Sequence, residues 1–148
     1  MKPIRTLILL ASEKKMRLCE NTGVGKGIAE VAEYAVDDLG EISARYADAP
    51  GSQRGGPGMA HHGFERPTSE RRQQREDFAE LVMEETARIF AAQGYDRLVV
   101  AAAPKMLGAL RDDMPDALKS ALRADLDKDL TKLPLSDLPA HLDEVLAV

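Results

Sequence analysis

Two short, mostly apolar runs constrain the fold of this chain more than any other feature. They cover residues 4–10 and 97–103, and each has the length of a β-strand. A long stretch with helical periodicity lies between them, so the chain has to cross over before the second run begins. Because strands joined by such a crossover run parallel, the two runs predict an α/β protein.

Two further strands are predicted before the long helix. Residues 16–20 alternate in polarity and follow a turn at residues 12–15. A Gly-rich turn at residues 23–27 leads to a third extended segment, residues 28–36, for which a short helix is the alternative. Three strands joined by short turns form an antiparallel meander.

The long helix shows the clearest periodicity in the chain. Thr68 or Ser69 can cap its start, and Gly94 can end it in the left-handed conformation. Apolar side chains recur at helical spacing on one face, namely Phe78, Leu81, Val82, Ile89 and Phe90.

Four more elements follow the second apolar run. Pro104 opens a helical stretch over residues 105–111, and a second helical stretch runs from Pro115 to Leu122. Residues 123–130 alternate only in part and predict an acidic, half-buried strand. Residues 136–146 then predict a final amphipathic helix, capped by Ser136.

The predicted element order is β-β-β-α-β-α-β-α, within a single three-layer α/β domain over residues 1–148. This order is that of a ribonuclease H-like mixed five-stranded sheet. Its first strand is central, with the meander on one side and the two crossover strands on the other. A flavodoxin-like sheet is the alternative, but it needs a helix between the first two strands.

A Gly-, Arg- and His-rich segment precedes the long helix, and we predict a flexible loop over residues 48–67. Five arginines and two glutamates give residues 51–75 a net charge of +3, whereas the whole chain carries −5. This asymmetry predicts a localised anionic partner, and a solvated loop and helix face is the alternative. The candidate binding residues are Arg54, Gly55, Gly56, His61, His62, Arg66, Arg71, Arg72 and Arg75.

Metal-dependent chemistry is not favoured by the sequence. A two-metal nuclease needs carboxylates on its first strand, but residues 4–10 contain none and Glu13 lies in the turn that follows. His61 and His62 are adjacent, which aims two imidazoles at one metal less readily than an i, i+4 helical pair does. We therefore expect no metal site and no assembled catalytic group.

Nucleotide and thiol chemistry are not favoured either. The run at residues 23–27 contains Gly25-Lys26, but Glu20 stands where a phosphate-binding loop requires glycine and Gly27 where it requires Ser or Thr. The single Cys19 cannot form an intrachain disulfide and is typical of a small core residue. We expect no cofactor.

The chain has no run of ~20 apolar residues and no signal-peptide pattern at its start. These absences predict a cytoplasmic protein that does not enter a membrane.

Several stretches resemble one known family, the bacterial host attachment proteins. They are residues 95–111, reading Tyr-Asp-Arg-Leu-Val-Val-Ala-Ala-Ala-Pro-Lys-Met-Leu-Gly-Ala-Leu-Arg, and Lys128-Asp129-Leu130-Thr131 with the closing helix. The opening strand and turn at residues 9–19 and Phe78-Ala79 resemble the family as well. Members are labelled as required for attachment to host cells. Without an export signal, an attachment effect would be indirect.

That family is similar to the middle domain of archaeal and eukaryotic peptide-chain release factors. In those proteins a Gly-Gly-Gln tip leads into a long helix, and the glutamine helps water reach the peptidyl-tRNA ester. The corresponding residues here are Gly55-Gly56-Pro57. Proline has no side-chain amide and no backbone N–H. The resemblance therefore implies a non-enzymatic protein that contacts the ribosome or tRNA through residues 51–75.

The sequence leaves two alternative functions open. One is a protein-interaction module whose acidic face binds a basic protein partner, formed by Asp112, Asp113, Asp116, Asp125, Asp127 and Asp129. The other is a peptidyl-tRNA hydrolase-like enzyme with a degenerate tip, in which Gln53 takes the place of the missing glutamine.

Overall fold

The computed structural model describes residues 2–47 and 67–148, with residues 42–47, 67 and 68 described by their backbone alone. The strands are β1 (Thr6–Ala11), β2 (Lys15–Asn21), β3 (Ala29–Ala35), β4 (Arg97–Ala102) and β5 (Leu122–Leu126). The helices are α1 (Val36–Ala47), α2 (Pro67–Gln93), α3 (Pro104–Asp112), α4 (Asp116–Ala121) and α5 (Leu138–Leu142), with a 3-10 turn at Leu135–Asp137.

The five strands form one mixed sheet in the order β3-β2-β1-β4-β5. The first three strands pair antiparallel, whereas β1 and β4, and β4 and β5, pair parallel. The five-stranded sheet predicted from the sequence is therefore confirmed, with β1 at its centre. The more specific likeness to ribonuclease H stays a prediction.

Both faces of the sheet are covered, which explains why every residue of β1 is buried. Leu7 and Leu9 face α1 to α4, and their helical neighbours there include Leu39, Phe78, Val82, Met106 and Leu118. Ile8 and Leu10 face the C-terminal segment, which contributes Leu130, Leu138, Leu142 and Leu146. The continuous apolar run at the start of the sequence reflects these two cores.

Helix α2 is longer than the sheet that it covers. Its 27 residues span ~40 Å, whereas the six residues of β1 span ~20 Å. The helix ends where the Arg5 side chain donates to the Gln93 carbonyl, just before β1 begins. At the other end of β1, Arg75 contacts Glu13 in the β1–β2 turn. Residues 67–74 therefore project beyond the sheet, and we call them the projecting end of α2.

The predicted boundaries of α2 are partly correct. Gly94 follows the helix with φ 68°, and its N–H donates to the Phe90 carbonyl, as a left-handed C-terminal residue requires. The start was predicted too late, because α2 begins at Pro67 and Thr68 and Ser69 lie inside its first turn. Proline is favoured at this position because its missing N–H would be unpaired there anyway.

Helix α1 was not predicted. The sequence pattern predicts no element for residues 37–47 and places residue 36 in the third strand, yet residues 36–47 form a helix of 12 residues directly after β3. Its buried side chain in the fully described part is Leu39, while Asp37 and Asp38 are exposed. Asp38 accepts a hydrogen bond from the Ala35 N–H at 3.3 Å, which helps the chain turn from strand to helix.

Two predictions near the C-terminus were wrong in detail. Strand β5 ends at Leu126 instead of residue 130, because Asp129 Oδ1 accepts hydrogen bonds from both the N–H and the hydroxyl of Thr131 and closes a turn. The predicted helix at residues 136–146 is a 3-10 turn followed by the short α5. Ser136 lies inside that turn and does not cap it.

The predicted loop at residues 48–67 falls almost entirely outside the described residues, apart from Pro67, which begins α2. Helices α1 and α2 flank this segment in the sequence. None of the helices in the described ranges is both long enough and apolar enough to cross a bilayer.

Candidate functional site

The projecting end of α2 carries the part of the predicted site that the structure describes. Arg71, Arg72 and Arg75 lie within or beside it. The remaining candidates, Arg54, Gly55, Gly56, His61, His62 and Arg66, lie outside the described residues. The three arginines differ in exposure and in partners.

Arg75 is held against the body of the protein. Its side chain is only 13% exposed, and its Nη1 lies 3.5 Å from Glu13 Oε1. Phe78, which is three residues further along α2, is fully buried in the core beside the sheet. Arg75 therefore stands at the boundary between the packed part of α2 and its projecting end.

Arg72 is far more exposed, at 72%, but it is paired within its own helix. Its Nε donates to Glu76 Oε1 at 3.1 Å. Gln73 Nε2 donates in the same i, i+4 manner to Asp77 Oδ1 at 2.9 Å. Such pairs stabilise a helix by ~0.2–0.5 kcal/mol each, and these two support the turns that the sheet does not cover.

Arg71 is exposed and makes no hydrogen bond or ion pair with the described part of the chain. It lies one helical turn before Arg75, further from the sheet. Its guanidinium is thus the one among the three whose charge is not already matched by a described neighbour.

An acidic groove lies beside the projecting end, between α2 and α3. Its volume is about 320 Å³, and its lining residues are Gln73, Glu76, Asp77, Glu80, Ala109, Asp112 and Asp113. Partial burial, together with the charges of Glu80, Asp112 and Glu76, raises the pKa of Asp113 above its usual value. The groove therefore disfavours additional negative charge.

The acids that line the groove are only partly those of the acidic face predicted from the sequence. Asp112 and Asp113 line it, but Asp125 accepts a 2.9 Å hydrogen bond from Arg111, and Asp129 is used in its own turn. Sequence reasoning missed the contribution of α2, which is Glu76, Asp77 and Glu80. Their i, i+1, i+4 spacing on a helix was the available signal.

Cys19 is buried in β2 and its thiol lies 3.3 Å from Glu30 Oε2. Burial is the main cause that raises the pKa of the Cys19 thiol to about 12, and the hydrogen bond to Glu30 and the charge of Glu30 add to it. The thiol is therefore protonated at neutral pH and unsuited to nucleophilic attack. Within residues 2–47 and 67–148, no three His, Cys, Asp or Glu residues are grouped to hold a metal ion.

The family model for bacterial archaeo-eukaryotic release factor family 12 matches residues 5–142, from the residue before β1 to the end of α5. The chain belongs to this family. A search of curated proteins found no match to this chain. The predicted kinship with release factors is thereby confirmed at the level of the family, while the link to host attachment stays a prediction.

The family 12 match includes the residues around α2. The match runs through α1, the segment between the two helices and α2. The described part of the site consists of a helix end supported by i, i+4 pairs, one arginine paired with the β1–β2 turn, and one exposed arginine that has no partner among the described residues. This arrangement can hold an anionic group by charge and hydrogen bonding.

Proposed function

We propose that this family 12 protein is a non-enzymatic, cytoplasmic, release-factor-like protein with a ribonuclease H-like sheet. It contacts the ribosome or tRNA through residues 51–75. The observation that carries the proposal is the projecting end of α2, which presents Arg71 beyond the sheet without a described partner. The family's kinship with release factors makes RNA the expected anion.

The chemistry of such a contact is simple. Arginine forms charge-assisted and often bidentate hydrogen bonds to phosphate, and these contacts position a protein on RNA. Catalysis of ester hydrolysis is not part of the proposal, because Pro57 lacks both the side-chain amide and the N–H that could orient a water molecule. The segment therefore acts as a contact surface.

Crosslinking in cells tests the proposal. The native protein is irradiated in growing cells and enriched under denaturing conditions, and the crosslinked material is identified. We expect rRNA or tRNA to dominate, with the crosslinks mapping to residues 51–75. Enrichment of protein alone, or RNA crosslinked equally along the whole chain, would contradict the proposal.

The acidic groove favours a second candidate function, a protein-interaction module for a basic partner. Five carboxylates line the groove, and they attract lysine- and arginine-rich segments. An effect on host-cell attachment would follow from that partner. Mutations distinguish the two functions. A basic protein partner should be lost from pull-downs when Asp112→Asn and Asp113→Asn are combined, and it should be kept with Arg71→Gln. An RNA partner should be kept with the double Asp→Asn variant and recovered in smaller amounts with Arg71→Gln.

A further inference from the structure

We propose that Glu13 and Arg75 are positioning residues that set the direction of the projecting end of α2. Among the three described arginines, contact with an RNA phosphate is left to Arg71. This inference rests on the proposed function of residues 51–75. It divides three arginines that look equivalent in the sequence into one anchor, one helix-stabilising residue and one contact residue.

The β1–β2 turn that holds Glu13 is a fixed point. The Ser12 N–H donates to the Lys15 carbonyl at 2.9 Å, and Ser12 Oγ accepts from the N–H groups of Lys14 and Lys15 at 3.2 Å. The Val36 N–H, at the start of α1, donates to the Lys14 carbonyl at 2.9 Å. The helices on both sides of residues 48–66 are thus attached to one turn.

Arg75 is placed to anchor and not to bind. Its side chain is 13% exposed and its Nη1 faces Glu13 Oε1, so little of the guanidinium is open to a phosphate. Residues 69–74 are exposed, and the Glu13–Arg75 ion pair joins α2 to the β1–β2 turn directly beside them. A small change in angle there moves every residue further out.

Arg71 and Arg72 differ in how much charge they can offer. Glu76 already pairs with Arg72, whereas Arg71 has no partner in the described ranges. Each phosphate that a protein neutralises on a single strand changes the slope of log K against log salt by ~0.7, and on a duplex by ~0.9. A contact residue and a positioning residue therefore give different salt dependences.

The first test measures binding to purified bacterial ribosomes across a series of KCl concentrations. We expect Arg71→Gln to reduce the salt slope by about one phosphate contact. Arg75→Gln and Glu13→Gln should weaken binding several-fold and to the same extent without changing the slope, and the double variant should be no weaker than either. The charge swap Glu13→Arg with Arg75→Glu should restore binding. A slope reduced by Arg75→Gln but not by Glu13→Gln would overturn the inference while leaving the proposed function intact.

The second test needs no RNA. Spin labels are placed with Glu70→Cys on the projecting end and Val24→Cys in the β2–β3 turn, in a Cys19→Ser background, and the distance distribution is measured by pulsed electron resonance. We expect a narrow distribution that broadens with either Glu13→Gln or Arg75→Gln and narrows again in the charge swap. Unchanged widths would overturn the positioning role, whether or not ribosomes bind.

Discussion

The hydroxyl of Tyr95 donates a 2.5 Å hydrogen bond to Glu20 Oε1, joining the second residue after α2 to the end of β2. The guanidinium of Arg5 lies 4.6 Å from the centre of the same ring and 3.6 Å from the same carboxylate oxygen. Tyr95 itself is only 6% exposed. Together these contacts fix the end of α2 that lies opposite its projecting end.

Replacing Tyr95 with phenylalanine removes this hydrogen bond and leaves the ring. We expect Tyr95→Phe to lower the free energy of unfolding by ~1–3 kcal/mol, because the acceptor is a charged carboxylate. Urea denaturation at pH 7 measures the change. An unchanged midpoint would mean that water replaces the hydroxyl without loss.

The same residue predicts a loss of stability in alkali. Burial is the main cause that raises the pKa of the Tyr95 phenol above its ordinary value of 10.0, and the hydrogen bond to Glu20 and the charge of Glu20 raise it further. The native protein keeps this proton after the unfolded chain has lost it, so stability falls as the pH rises above 10. Tyr95→Phe should remove this part of the pH dependence.

Arg17 holds the C-terminal segment on the sheet. Its Nη1 donates to the main-chain oxygens of Thr131 at 3.2 Å and Leu133 at 2.6 Å. Glu30 and Glu33 lie 3.5 and 3.6 Å away. Because the side chain is almost completely buried, its removal leaves these acceptors without their donor.

We expect Arg17→Met to destabilise the protein by ~2–3 kcal/mol, since the two glutamates are exposed enough to regain water. Arg123→Met is the matched control, because Arg123 is exposed on β5 and should change stability by less than ~0.5 kcal/mol. Urea unfolding of both variants measures the difference. Equal effects at the two positions would argue against the assigned role of Arg17.

Cys19 should react slowly with thiol reagents in the native protein. With its pKa raised from 9.0 to about 12, the thiolate population below pH 9 is ~1000-fold smaller than in the unfolded chain. Reaction with a chromogenic disulfide at pH 8, with and without urea, measures the protection. Rapid labelling without urea would contradict the burial of Cys19.

Asp113 should destabilise the protein at neutral pH, because burial and three neighbouring acids disfavour its charged form. Its pKa in the native state lies above the ordinary 3.8, so the native protein gains stability as the pH falls through the native pKa towards that value. We expect Asp113→Asn to be more stable than the parent at pH 7 and equal to it near pH 3. The exposed Glu144→Gln is the control, with a smaller difference.

The sheet could be predicted because its pattern is local. The apolar runs at β1 and β4 are continuous, since both faces of these strands are covered, and the short turns limit how the first three strands can pair. Helix α1 was missed although its signal was available. Leu39, Ile42 and Tyr46 recur at helical spacing in the sequence. Asp37 and Asp38 stand in the first turn, where acids are favoured.

The candidate site was predicted in composition but not in geometry. The spacing of Arg71, Arg72 and Arg75 indicates a basic helix end. The partner of Arg75 is set by the tertiary structure, and the pairing of Arg72 with Glu76 depends on the side-chain conformation. Arg17 is a stronger example, because its acceptors lie 114 and 116 residues further along the chain. No local pattern reveals such a contact.

Co-sedimentation with purified ribosomes at low salt tests the proposed function most directly. The wild-type protein is compared with Arg71→Glu and with Arg123→Glu, a charge reversal of an exposed arginine on β5, away from α2. We predict that the wild type and Arg123→Glu pellet with ribosomes and that Arg71→Glu stays in the supernatant. A wild-type protein that never pellets, or an Arg71→Glu variant that pellets as well as the wild type, would contradict the account.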